Sequence, residues 1–438
     1  MNDVNRVEPR TLPGFMELNP NDQVKFNQMM DTIRLSYERF GFLPLDTPVI
    51  ELSEVLLAKA GGETEKQIYR FTKGESDLSL RFDLTVPLAK FVAEYYNELV
   101  FPFKRYQIGK VYRGEKSQKG RYREFYQCDI DIIGEGELSI INDAQIPSVI
   151  YITFKELGFD NFTICINNRK ILNGLFASLG LSELATDILR IIDKIEKAGE
   201  EVVKGELETL GIETGAIAKI ISFVTLNGNA DEKLLALRNL NIANELFEQG
   251  VQELNDVVKY IRSLGVPDNY FAVDMKIARG LDYYTGTVYE TFLNDYRNIG
   301  SVCSGGRFDN LAEYYTDKKL PGVGISIGLT RLFYQLSQMN AIKADRESIS
   351  DVLIIPMDSE IDDCLQIANK LRIAGFNTDV YLENAKMKKK MKYADKWGIP
   401  YVLIIGDEER AIGLYTLKNM KTSEQSKLSL EGVIDSIM

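Results

Sequence analysis

The sequence predicts an α+β protein of more than one domain, and three observations carry that reading. From about Ile68 to Gly134 apolar and polar residues alternate with the period of strands. From about Lys170 to Leu264 the chain is rich in Leu, Ile, Glu and Lys and reads as helical. Beyond Ser350 short strand and helix patterns alternate, as in a small α/β domain. At 438 residues the chain also exceeds one ordinary core.

Taken in order, Asn19-Pro20 starts a helix, with Phe26, Met30, Ile33, Tyr37 and Phe40 at helical spacing and Gly41 at its end. The extended piece Leu43 to Ile50 holds Pro44 and Pro48, which place it at a sheet edge or interface. Leu78, Leu80, Phe82 and Leu84 alternate as a strand would, leaving Arg81, Asp83 and Thr85 on the other face. Arg105 to Arg113 and Arg121 to Ile133, joined by a polar loop, form a long antiparallel hairpin. Its second strand puts Arg121, Arg123, Gln127, Asp129 and Asp131 on one side, a polar face that suits the lining of a site. After the helical stretch, punctuated near Gly205, Gly211 and Gly228, strand-like sequence runs from Tyr270 to Thr291. A glycine-rich turn follows at Ser304-Gly305-Gly306, and an apolar helix begins after Gly328. Met339 to Ser350 is polar and irregular, as a linker would be. The last segment alternates strand (Val352–Pro356), helix, strand (Thr378–Leu382), basic helix, strands (Tyr401–Ile405, Gly413–Leu417) and helix.

Composition narrows the chemistry. The chain has no histidine, which excludes Ser-His-Asp and Cys-His catalysis and any imidazole-ligated metal. The four cysteines lie far apart, so a disulfide framework or a cysteine zinc site is not expected. No run of about eighteen apolar residues appears, so no membrane span is expected. The polar first residues lack a signal-peptide pattern, and a cytoplasmic protein is the expectation. With a formal net charge of −12, any nucleic-acid partner must meet a local basic patch.

Three segments carry the chemistry. Arg113-Gly114-Glu115 with Arg121-Tyr122-Arg123-Glu124-Phe125-Tyr126-Gln127 offers guanidinium forks suited to a polyphosphate. Asp129 and Asp131, further along the same face, suit a cationic amine and a polar ring. Ala278 to Glu290 sets Arg279 beside Tyr283 and Tyr284 among glycines. Gly322 to Arg331 is a small-residue strand-to-helix junction that delivers Arg331 near a helix start. Taken singly, these also read as a solvated charged strand, an aromatic hairpin and a helix-packing junction.

In this order the three segments resemble the histidyl-tRNA synthetase family of class II aminoacyl-tRNA synthetases, over nearly the whole chain. The most specific match is Arg279-Gly280-Leu281-Asp282-Tyr283-Tyr284, which resembles that family's histidine signature. Gly120 to Phe125 and Gly324 to Arg331 resemble the second and third class motifs, and the helix before Gly41 with Pro48 resembles the first. Ser304 to Asp309 resembles the GGRYD segment with Phe in place of Tyr.

The resemblance implies a class II catalytic domain, an antiparallel sheet flanked by helices, in residues 1–168 and 267–338. It further implies a helical insertion at 169–266, a linker at 339–350 and an anticodon-binding domain at 351–438. It implies activation of histidine with ATP and Mg2+ and transfer to tRNA(His) by a homodimer. Arg113, Glu115, Arg121 and Arg331 would bind ATP, with Arg279 and Arg113 acting in adenylation. Asp83, Thr85 and Gln127 would hold the α-amino group, and Asp131 with Tyr283 and Tyr284 the imidazole. None of these roles forms a protein cage for a metal.

Departures from the family pattern are Thr330, where an acidic residue is common, Gln145 for a commoner Glu, and Gly14-Phe15-Met16-Glu17 for Gly-Thr-Arg-Asp. In the last domain Lys386, Lys389 and Lys390 share a helical face, with Met387, Met391 and Ala394 inward. These lysines are candidates for RNA phosphate contact. The rival reading is a synthetase-like regulatory paralogue that binds histidine without charging tRNA. Such paralogues usually lack the anticodon-binding domain.

Overall fold

The computed structural model describes residues 7–58, 63–116, 120–192, 194–277, 284–342, 348–357 and 361–438. Internal contacts divide the chain into two compact units: residues 30–341 with the segment ending at Met16, and residues 342–438 with Glu17–Met29. The fold class is α+β, as the alternation of patterns predicts.

The larger unit is built on an eight-stranded sheet. In chain order its strands are β1 (Leu43–Pro44), β2 (Phe103–Tyr112), β3 (Glu124–Ile133), β4 (Phe162–Asn168), β5 (Phe271–Val273), β6 (Thr287–Leu293), β7 (Cys303–Phe308) and β8 (Gly322–Gly328). Their order across the sheet is β1-β2-β3-β8-β7-β6-β4-β5. The six inner strands pair antiparallel, and the two short edge strands pair parallel. The proline-bearing piece is thus an edge strand, where a missing N–H costs nothing.

β2 and β3 form the predicted hairpin, in register from Phe103 opposite Ile133 to Tyr112 opposite Glu124. Alternation sends Cys128, Ile130 and Ile132 into the core, all fully buried. The core side is closed by α3 (Ile141–Glu156) and by the part of helix α1 (Pro20–Arg39) that follows Met29. The Tyr37 hydroxyl donates to Cys128 O at 3.0 Å, and the Ser36 and Thr153 hydroxyls meet at 2.8 Å. Along α1, Phe26, Met29, Ile33 and Tyr37 are buried, with Met29 rather than Met30 on the inner row.

Three local expectations are corrected. The strand expected through Thr85 ends at Leu80, and helix α2 (Thr85–Glu94) starts at once. Arg81 turns inward instead, donating to Lys110 O and Thr47 O at 2.8 and 2.5 Å, a satisfaction no exposed strand position offers. Gly305 and Gly306 form no turn; they lie within β7, paired on both sides. A Cβ at Gly305 would fall 2.1 Å from Gly324 O, so glycine here serves close strand packing. The stretch Tyr270 to Thr291 is not one strand either, because β5 and β6 lie on opposite sides of β4.

The stretch from Arg169 to Ser263 is helical, beginning with α4 (Arg169–Ser178) and ending with α5 (Glu245–Ser263). These two helices approach through Gly174 and Gly250, where a Cβ would lie 2.5 Å from Phe247 N and 2.8 Å from Ile171 N. Gly211 and Gly228 break the helices with φ of +82° and +116°, whereas Gly205 sits inside Glu200–Thr209.

The smaller unit carries a five-stranded sheet in the order Thr378–Val380, Val352–Pro356, Tyr401–Ile405, Tyr415–Asn419, Gln425–Leu428. The first three are parallel, as the strand–helix alternation predicts, and the last two antiparallel. Gln425–Leu428 went unpredicted because it is polar and largely exposed. Among the described residues no helix is long and apolar enough to cross a membrane.

Candidate active site

The sheet face opposite α1 and α3 opens into a cleft of about 680 Å³. Cross-strand register builds its floor. Gln127, Asp129 and Asp131 stand in line on β3; Gly109, Gln107 and Arg105 oppose them on β2, and Gly328, Ser326 and Gly324 on β8. The middle row continues through Ser304 on β7 to Glu290 on β6. A Cβ on Gly324 would fall 2.1 Å from Asp131 Oδ1 and 2.4 Å from Ile130 O, so only glycine leaves room for that carboxylate.

Hydrogen bonds orient the floor. Gln127 Nε2 donates to Ser326 Oγ at 2.6 Å, and Ser326 stands opposite Asp129 in register and favours its anion. Gln127 Oε1, Asp129 Oδ1 and Asp131 Oδ2 are left buried without a hydrogen-bond partner. Arg105 is fully buried beneath them. It meets Asp131 Oδ2 at 2.7 Å and donates to Leu84 O at 3.0 Å. Asp83 Oδ1 accepts the backbone N–H of Thr85 and Val86 at 3.1 and 2.9 Å, which closes the first turn of α2. Asp83 and Thr85 therefore come together through a helix start, not through the strand alternation that the sequence suggested.

Burial raises all three carboxyls. Asp131 is pushed up to about 6 and Asp129 to about 7, with Arg105 opposing the shift in both. Asp83 is raised as well, against the hydrogen bond from Val86 and the Arg113 and Arg105 charges. A pocket of buried acceptors and reluctant carboxylates favours a ligand that brings positive charge and N–H donors.

Arginines gather toward the hairpin loop. The Arg113 guanidinium lies between the rings of Phe82 and Phe125, 4.3 and 5.1 Å from their centroids, and donates to Phe82 O at 3.2 Å. Arg121 lies 3.7 Å from Glu115 and is more than one-third exposed. Arg331 donates to Ile299 O and lines the same cleft. Nine of the eleven catalytic, ATP and amino-acid candidates line this cleft: Asp83, Thr85, Gln127, Asp131 and Tyr284 at the carboxylate end, with Arg113, Glu115, Arg121 and Arg331. Arg279 and Tyr283 lie outside the described residues. Sequence reading placed Asp129 among the carboxylates suited to an amine and a polar ring but assigned it no contact of its own. It missed Arg105, Ser326 and Glu290, whose positions emerge only from cross-strand register.

The sequence pattern described as histidyl-tRNA synthetase matches residues 14–332, and that of an anticodon binding domain matches residues 351–438. The chain belongs to the histidyl-tRNA synthetase family. It is 59% identical over 432 residues to the histidine–tRNA ligase of Clostridium tetani, covering 98% of each chain. It is 49% identical over 446 residues to that of Xanthomonas campestris pv. campestris strain 8004, covering 96% of this chain and 94% of the relative. The crystal structure of histidyl-tRNA synthetase from Nostoc sp. PCC 7120 superposes with a TM-score of 0.92 at 40% identity, covering 99% of both chains.

The departures from the synthetase family pattern have local explanations. Thr330 is buried, and its hydroxyl accepts the Tyr126 backbone N–H at 2.8 Å. An acceptor is what the position needs, and Thr supplies one while Arg331 keeps its place in the cleft. Gln145 Oε1 accepts from Lys104 Nζ at 2.7 Å. Gly14 retains a φ of +89°, and its carbonyl accepts Arg123 N–H at 2.7 Å.

In the smaller unit, Met387 and Met391 pack with buried Ala394 against Leu353, Ile355 and Val402, which turns the lysine side of Met387–Lys396 outward. Lys386 and Lys389 are exposed. Lys390 is held back, donating to Pro356 O at 2.6 Å.

Proposed function

We propose that the chain ligates histidine to tRNA(His) in two steps within this cleft. The observation that carries the proposal is the convergence of the candidate residues on one sheet face, anionic at one end and arginine-rich at the other. Asp83, Thr85 and Gln127 take the α-ammonium, and Asp131 with Tyr283 and Tyr284 take the imidazole. Arg113, Arg121 and Arg331 meet the phosphates, Glu115 lies beside the adenine, and Arg279 holds the α-phosphate during adenylation. Mg2+ arrives with the ATP phosphates as part of that substrate. The histidine carboxylate attacks the α-phosphorus and pyrophosphate leaves; the tRNA terminal hydroxyl then takes the acyl group and AMP leaves. Neither step needs an enzyme nucleophile, so orientation and charge neutralisation supply the rate.

Residues 1–168 and 267–338 form the catalytic domain in this reading, 169–266 the insertion, 339–350 the linker and 351–438 the anticodon-binding domain. Lys386 and Lys389 are the stronger candidates for RNA phosphates, since Lys390 is engaged. A homodimer is supported by exposed Leu35, Leu43, Val49, Ile50 and Leu52, an apolar group on the first motif.

ATP–pyrophosphate exchange with purified protein tests the reading, comparing histidine with the other amino acids and with an Arg279→Ala control. Exchange that requires histidine and is lost in the control is expected. Histidine binding without exchange would move the chain to a regulatory role.

A further inference from the structure

Asp129 puts a carboxyl on the cleft floor that none of the assigned roles uses. It is 2% exposed and stands opposite Ser326 in register. Its Oδ1 is buried without a hydrogen-bond partner. Burying an acceptor in that way is costly unless a ligand supplies the hydrogen bond.

Its neighbours divide the work along β3. Gln127 commits its amide nitrogen to Ser326, which leaves its carbonyl oxygen buried as an unpartnered acceptor. Asp131 is already balanced in charge by Arg105 at 2.7 Å. A carboxylate so paired attracts a second cation less than an unpaired one. Asp129 lies between them, one alternation from each.

Length decides which part of the amino acid faces Asp129. From Gln127 to Asp131 is four residues, about 13 Å along a strand. In histidine the α-nitrogen and the far ring nitrogen are five bonds apart, at most about 6.5 Å. With the ammonium at the level of Gln127, the ring reaches Asp129 before Asp131; with it nearer Asp83, which sits beside the Arg105–Asp131 pair, both carboxyls lie within the ring's span.

We infer that Asp129 is a specificity-determining residue that accepts a hydrogen bond from the substrate's imidazole ring, sharing with Asp131 the reading of that ring. The inference rests on the proposed function. It goes beyond it in giving the ring two carboxylates, of which Arg105 neutralises one. Ser326, fixed between Gln127 and Asp129, is a positioning residue for both acceptors.

The test is ATP–pyrophosphate exchange by Asp129→Asn, with histidine and with β-(1,2,4-triazol-3-yl)alanine, an analogue of the same shape and a far less basic ring. The expected loss is a ten- to hundredfold rise in KM for histidine, the scale of one hydrogen bond to a charged group, with KM for ATP moved less than threefold. The variant's rise in KM should be smaller for the triazole, narrowing the preference for histidine. Thermal unfolding guards against a folding artefact: because burial disfavours the Asp129 anion, the Asn variant should melt no lower than the parent. A histidine KM within threefold of the parent overturns the inference. So does an equal loss for both amino acids, which would put Asp129 at the ammonium. Parent protein without histidine-dependent exchange would sink the proposed function itself, and the inference with it.

Discussion

Replacing Arg105 by Met isolates the electrostatics of the pocket floor. The side chain is fully buried, paired with Asp131 and bonded to Leu84 O. Removing one partner of a buried ion pair costs about 3–5 kcal/mol, because the other charge is left uncompensated. The cost must depend on pH. Asp131 has a folded-state pKa of about 6 against an ordinary 3.8, so the stability it contributes is present at low pH and lost as pH rises through 6. Without Arg105 the folded-state pKa climbs further, and each unit adds about 1.4 kcal/mol to the loss above it. Asp129 and Asp83 also feel Arg105 and move the same way. The variant should lie only about 1 kcal/mol below the parent at pH 5, where Asp129 and Asp131 are largely protonated in both and mainly the Leu84 bond is missing. By pH 8 the gap should reach about 3 kcal/mol or more, from a further pKa rise of about two units. Urea unfolding followed by far-ultraviolet circular dichroism reads the difference. The single tryptophan, Trp397, belongs to the smaller unit, so its fluorescence transition should not move. A gap that stays constant from pH 5 to 8, or remains below about 1 kcal/mol at pH 8, would refute the reasoning.

Gly324→Ala should abolish histidine-dependent exchange and destabilise the larger unit by at least about 1–3 kcal/mol, since the new methyl falls 2.1 Å from Asp131 Oδ1; normal exchange kinetics would contradict the packing. Thr330→Val takes from the Tyr126 N–H the acceptor it has at 2.8 Å, and should cost about 1–3 kcal/mol in unfolding measurements while KM for ATP stays within threefold. A selective loss of ATP binding would instead give Thr330 a direct role. Lys386→Glu with Lys389→Glu should weaken tRNA binding and lower the slope of log affinity against log salt by about 1 per lysine. Amino-acid activation should be unaffected, and an unchanged salt slope would remove these lysines from the RNA surface.

What the sequence could reveal depended on how local each feature's cause is. The β2–β3 hairpin was readable because alternation over ten residues is a property of the strand itself. Asp83 with Thr85 was placed correctly for a wrong reason: the apolar spacing of Leu78 to Leu84 imitates a strand, while the hydrogen bonds from Thr85 and Val86 to Asp83 start a helix. Gly305-Gly306 read as a turn because glycine marks both turns and close strand approach, and only the β8 carbonyl beneath Gly305 separates the two. Arg105 was invisible for a stronger reason. Nothing near it in the chain distinguishes a buried arginine from a surface one; its partner Asp131 is set by hairpin register, and its burial by the packing of Leu84 and α2.

That arginine also accounts for an otherwise awkward arrangement. Asp83, Asp129 and Asp131 all respond to Arg105, and Arg113 also acts on Asp83, yet burial outweighs these cations and leaves all three carboxyls raised. A further cation paired directly with Asp129 would stabilise the floor, but it would occupy the acceptor that a substrate needs. Burial thus disfavours the Asp129 and Asp131 anions until something positive arrives. In the proposed arrangement the ammonium and the imidazole N–H of histidine would meet that requirement at both ends of the same molecule. An apolar isostere meets it at the ammonium end only and leaves Asp129 and Asp131 unsatisfied. Rejecting a ligand that lacks a hydrogen-bonding group is the kind of discrimination a polar pocket achieves best. The instability of the empty floor and the selectivity of the filled one therefore have the same physical origin.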